Sequence, residues 1–180
     1  MDLVERFIKY VKIDTESDPN SPTFPTTQKQ KDLGKVLVQE MLELGIVDAH
    51  MGEDGIVYGS IPKNVEGAPI IGFIAHMDTS PDMSGKNVNP RIIQAYDGGK
   101  IVLNEKLNIS MDPVDFPSLK GVVGDDLIVT DGTTLLGADD KAGIAEIMDL
   151  AEKIMKDSSI KHGDIKLAFT TNETVPLSDL

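Results

Sequence analysis

The longest uninterrupted apolar run in the chain is Pro69-Ile70-Ile71-Gly72-Phe73-Ile74-Ala75, and it stops abruptly at His76-Met77-Asp78. A run of strand length without polar alternation is the pattern of a strand covered on both faces, as in layered α/β folds. It is too short to cross a bilayer, which takes about 20 apolar residues in a helix. The run therefore predicts a sheet with helices packed against it, and the flanking sequence supplies the helices. Leu3, Val4, Phe7, Ile8 and Val11 recur at helical spacing behind Asp2, a residue suited to accept hydrogen bonds from a helix's first amides. Pro19, Pro22 and Pro25 then break the pattern into an exposed loop. A second helix is expected from about Thr27, with Leu33, Val36, Leu37, Met41 and Leu44 on one face and Gly45 at the left-handed C-terminal position. A third begins near Lys141 and turns Ile144, Ile147, Met148, Ala151, Ile154 and Met155 inward.

Further strands are expected at Ile46-Val47, at Ile56-Val57-Tyr58 after the turn Glu53-Asp54-Gly55, and at Leu127-Ile128-Val129-Thr130 before Asp131-Gly132. Ile165, Leu167 and Phe169 alternate as a last strand, with Ala168 on its other face. From Asp78 to about Leu119 the chain is rich in Pro, Gly, Asn and Asp and predicts a long loop with at most short strands; long loops in compact domains are often functional. Helices alternating with buried strands give the expected fold class: α/β, a mixed, largely parallel sheet flanked by helices.

Composition narrows the functions open to such a fold. The 180 residues include 17 basic and 30 acidic side chains, a net charge of −13 that repels phosphate backbones and anionic lipid. Nucleic acid and membranes are accordingly not expected partners. Cysteine is absent, so a disulfide framework, a thiolate metal site and a cysteine nucleophile are excluded, and any metal must be held by His, Asp or Glu. The N-terminal Met-Asp-Leu-Val-Glu-Arg-Phe is mixed in charge and unlike a secretory signal, so a cytoplasmic protein is expected.

Ligands in α/β sheets bind where loops leave the carboxyl ends of strands. Three polar clusters fall at such ends: His76-Met77-Asp78, Gly137-Ala138-Asp139-Asp140-Lys141 and Asn172-Glu173. One imidazole and several carboxylates are the donor set of a zinc or mixed-metal hydrolytic site. Asp78, two residues beyond His76 in an extended segment, can steady the imidazole, as carboxylates commonly do for metal-bound histidines; a surface His-Asp pair or a turn cap uses the same residues. Asp139-Asp140 can cap the third helix, or one of the pair can be shared between two metals. Glu173 is either a general base or an exposed residue near the end of the sequence. His50 and His162 lie in polar, turn-like contexts without metal-ligand spacing and read as structural or surface residues.

The stretches His76-Met77-Asp78-Thr79-Ser80-Pro81-Asp82 and Ser84-Gly85-Lys86-Asn87-Val88-Asn89-Pro90 resemble the peptidase T family of tripeptide aminopeptidases, within the wider zinc-dependent exopeptidases. Thr130-Asp131-Gly132, the run from Leu135 to Ile147, His162-Gly163-Asp164-Ile165 and Ala168-Phe169-Thr170 continue the resemblance. It implies zinc at a two-ion site, with His76 a ligand, Asp78 the residue orienting it, Asp139 the bridging carboxylate and Glu173 the general base. Its implied substrates are short peptides, cleaved at the first peptide bond of tripeptides. The family pattern ends the last strand with two consecutive Glu, whereas this chain has Glu173-Thr174, and a hydroxyl is a weaker zinc ligand than a carboxylate. The resemblance makes residues 1–175 the N-terminal portion of a catalytic domain and 176–180 an atypical tail, with no counterpart of the family's dimerisation domain or remaining catalytic segment. It also implies a chain inactive by itself, or at most a weak metal binder, prone to self-association through an unpaired sheet edge. A related zinc exopeptidase or amidohydrolase of different substrate is the alternative.

Overall fold

Asp2 opens helix α1 (Leu3–Val11) through a reciprocal capping box: its carboxylate accepts from Glu5 N at 2.8 Å, and Glu5 Oε2 accepts from Asp2 N at 3.3 Å. This arrangement comes from a computed structural model, which describes residues 1–173; Thr174 to Leu180, including the expected atypical tail, lie outside the described residues. Helix α2 (Gln30–Glu43) buries Leu33, Leu37 and Met41. Gly45 follows at φ +92°, and Ile46 N closes back on the Met41 carbonyl at 2.9 Å, the hydrogen bond that ends a helix in a left-handed turn. That turn takes up Ile46-Val47, where a strand was expected. Ile46 plugs into the core, Val47 faces solvent, and the chain becomes extended only at β1 (His50–Met51).

Strands β2 (Val57–Ile61), β3 (Ile71–His76) and β8 (Ile165–Thr170) complete a four-stranded sheet in the order β1-β2-β8-β3. The sheet is mixed: β1/β2 and β2/β8 are antiparallel, and β3/β8 is the parallel pair. Helix α3 (Ala138–Lys156) packs on β3, α2 on β2, and α1 on α3. Val57, Ile61, Ala75, Ile165, Leu167 and Phe169 share the covered face with Ile144, Ala145, Met148 and Ala151 of α3 in one core.

The expectation for β3 requires correction. Ala75 is buried, but Ile70 and Ile74 are 68% and 70% exposed, and among the described residues β3 is a sheet edge. The apolar run is of the right type for cover on both sides, yet the helices among the described residues cover one face only. The segment from Asp78 onward holds the short strands β4 (Arg91–Ile93), β5 (Ile101–Asn104) and β6 (Ile109–Met111), then a 3-10 helix, Pro117–Val122, and β7 (Leu127–Val129). β4 pairs with β7 and β5 with β6, around a satellite core of Tyr96, Ile101 and Leu119. No helix of the described residues is long and apolar enough to cross a membrane.

Candidate metal centre

Parallel pairing of β3 with β8 sets His76 opposite Thr170, so the loops leaving both strands emerge side by side. Met77 N extends the ladder to the Thr170 carbonyl at 2.8 Å, and Glu173 N donates to Asp78 Oδ1 at 3.0 Å. His76, Asp78 and the backbone of Glu173 are thus tied at one end of the sheet. The third cluster arrives from the start of α3, where His76 Nε2 stands 2.8 Å from Asp139 Oδ1.

The two adjacent aspartates divide the roles left open by the sequence. Asp139 and Asp140 both have non-helical dihedrals, and the peptide between them is cis. Asp140 Oδ1 accepts from Gly143 N at 3.0 Å, which makes it the helix cap. Asp139 is left with its carboxylate 93% exposed apart from its contact to His76. On the other side of the imidazole, Nδ1 lies 2.9 Å from the Asp78 carbonyl oxygen and 3.5 Å from Asp78 Oδ1, so the backbone as well as the carboxylate orients the ring. Burial alone would lower the His76 pKa, but the carboxylates of Asp78 and Asp139 outweigh it and raise it to about 9.

A catalytic zinc takes about three protein ligands and keeps one open position. His76 and Asp139 have the right donor chemistry and meet at one point, but no group of three His, Asp or Glu side chains that could hold a metal occurs among the described residues. The arrangement fits two ligands of such a site and does not complete it. Thr174, where the family pattern has a second Glu, lies outside the described residues. His50, stacked on Tyr58 with ring centroids 5.6 Å apart, and His162, beside the Gly163 carbonyl, take no part.

Two residues of the polar clusters have no role in the sequence reading. Asn172 is buried at φ +64°, and its Oδ1 accepts from Thr26 N, Thr26 Oγ1 and Gln30 Nε2 at 2.9–3.0 Å, anchoring the turn before Glu173. Asparagine is among the few residues that tolerate this left-handed conformation. Lys141 is buried, with Nζ donating to the Ile13 carbonyl at 2.7 Å. Burial pushes its amine down to about 8, against the opposing pull of Asp14. Helical spacing carries a signal for Lys141, because 141, 144, 145 and 148 share one face and the other three are core residues.

No protein-family model matches the chain. Peptidase T of Alkaliphilus oremlandii is 54% identical over 176 residues, which cover 96% of this chain and 43% of that protein. Peptidase T of Bacillus subtilis is 51% identical over 175 residues, 97% of this chain and again 43% of the relative. Among solved structures, aminopeptidase PepT from Bacillus cereus superposes with a TM-score of 0.64 at 26% identity, covering 95% of this chain and 36% of that one. The chain therefore spans less than half the length of the curated relatives it matches.

Proposed function

We propose that this chain, which resembles peptidase T over nearly its whole length, carries part of the active site of a zinc-dependent aminopeptidase acting on tripeptides. The observation that carries the reading is the 2.8 Å approach of His76 Nε2 to Asp139 Oδ1 at the carboxyl end of β3. In this reading His76 and Asp139 are metal ligands, Asp139 the one shared between two ions, Asp78 orients His76, and Glu173 is the general base. Zinc, when bound, supplies Lewis acidity toward the scissile carbonyl and toward water.

The chain's own groups account for the remaining steps. Nδ1–H donates to the Asp78 carbonyl at 2.9 Å, which fixes the tautomer and leaves Nε2 as the coordinating nitrogen. Without metal, Nε2–H donates to Asp139 Oδ1 at 2.8 Å; to hold zinc, Nε2 would have to be unprotonated, its proton passing to solvent. Glu173 is held beside this pair through its backbone amide on Asp78, and it takes the proton of the attacking water and delivers it to the leaving amine. Short peptides as substrates and a cytoplasmic location belong to the same reading. The outer edge of β3, with Ile70 and Ile74 exposed beside it, supports self-association of the chain as a further property.

The test is a chimaera in which residues 1–173 replace the corresponding part of the Alkaliphilus oremlandii relative. Release of the N-terminal residue from trialanine is expected from the chimaera and not from the 180-residue chain with added zinc. Residues that merely orient metal ligands are worth about 10–100-fold, so His76→Ala or Asp139→Ala in the chimaera is expected to cost more than about a hundredfold. A folded chimaera without peptidase activity, or one indifferent to His76→Ala, would overturn the assignment.

A further inference from the structure

Lys141 is 1% exposed, and the reaction outlined above gives it no task. A buried ammonium is costly to desolvate, and an apolar side chain of equal length would fill the same space without that cost. Its partner explains what it can do. Ile13, whose carbonyl accepts from Lys141 Nζ at 2.7 Å, opens a segment that runs along the loop following β3. Thr79 N donates to the Thr15 carbonyl at 3.2 Å and Ser17 N to the Thr79 carbonyl at 3.0 Å. Residues 13–17 therefore grip the loop that follows His76 by its backbone and the start of α3 by Lys141.

The packing between these two grips is tight. Gly137, at φ +75°, sits where an added Cβ would lie 3.1 Å from Thr79 Cγ2 and 3.7 Å from Lys141 Cδ. His76 and Asp139 are 63 residues apart in sequence, and Asp139 itself is solvent-exposed, so its own side chain has little packing to hold it. The tether two residues further on supplies the missing constraint.

We propose that Lys141 is a positioning residue: by binding the Ile13 carbonyl it anchors the start of α3 and sets the Asp139 carboxylate against His76. The proposal rests on reading those two residues as metal ligands, and its test separates the two ideas. Lys141→Met keeps the length of the side chain and removes the donor. Zinc affinity of the metal-free chain is expected to fall about tenfold in this variant, into the 10–100-fold range of residues that orient ligands. The melting temperature is expected to change little, since removal of a buried charge offsets loss of the hydrogen bond to the Ile13 carbonyl. Because the chain has no cysteine, Lys141→Cys can be aminoethylated in the unfolded state and refolded, and this lysine analogue is expected to restore the affinity. It also serves if Lys141→Met does not fold. A lower melting temperature with zinc affinity within twofold of the parent would make Lys141 a packing residue and overturn the proposal. Should the parent bind no zinc through His76, the ligand reading fails separately. The tether is then decided by metal-free crystal structures of parent and variant, where a retained His76–Asp139 contact in Lys141→Met overturns it and a lost one upholds it.

Discussion

Arg6→Ala is expected to destabilise the chain by about 3–5 kcal/mol, the cost of removing one partner from a buried ion pair. The Arg6 guanidinium is buried at the junction of the three helices, donating to Tyr10 Oη at 3.1 Å and paired with Glu40 of α2 and Glu152 of α3. Tyr10 Oη donates to Glu40 Oε2 at 2.6 Å, and Lys9 reaches the other oxygen of Glu40 at 2.6 Å. Burial, reinforced by Glu40, holds the Tyr10 hydroxyl protonated far above its ordinary range. With Arg6 gone, two mostly buried carboxylates and a phenol face one another, neutralised from the periphery by Lys9, Lys156 and the N-terminal ammonium. Urea denaturation at neutral pH reads the difference directly. A loss below about 1 kcal/mol, the size of a surface ion pair, would mean the network is solvated and does not join the helices.

Phe169→Ala is expected to cost a similar amount, about 3–5 kcal/mol for a fully buried aromatic. Phe169 lies in β8 opposite Val57 on one side and Ala75 on the other, in the middle of the covered sheet face. The informative comparison is Ile74→Ser, one residue before Ala75 and on the open face. Exposed positions of this kind change stability by within about 0.5 kcal/mol. Equal, large losses at both positions would show that both faces of the sheet are covered in solution.

That contrast also marks where sequence reasoning reached its limit. Local signals were sufficient for local structure: Asp2 caps α1, Gly45 ends α2 in a left-handed turn, and the inward positions expected for α3 face the core. Edge position is not a local property, so the run from Pro69 to Ala75 could report its hydrophobicity but not that only one side of β3 finds a cover among the described residues. Ile46-Val47 has the composition of a strand and was taken by the helix terminus, whose backbone hydrogen bond to Met41 outcompeted extension. At the site, spacing alone left His76-x-Asp78 and Asp139-Asp140 with several uses each. The long motifs shared with a known family drew His76 and Asp139 together, and the folded chain brings them within hydrogen-bonding distance across 63 residues. The burial of Arg6, Asn172 and Lys141 is not legible in the sequence, because a polar residue's burial depends on partners far along the chain.

If His76 and Asp139 form one metal-binding pair, calorimetric titration of zinc into the metal-free chain will read it. A single class of sites is predicted, weak because two donors hold the ion, with affinity falling at least tenfold in both His76→Ala and Asp139→Ala. Zinc binding of equal strength in the parent and both variants would place the metal elsewhere and rule out the pair as its site.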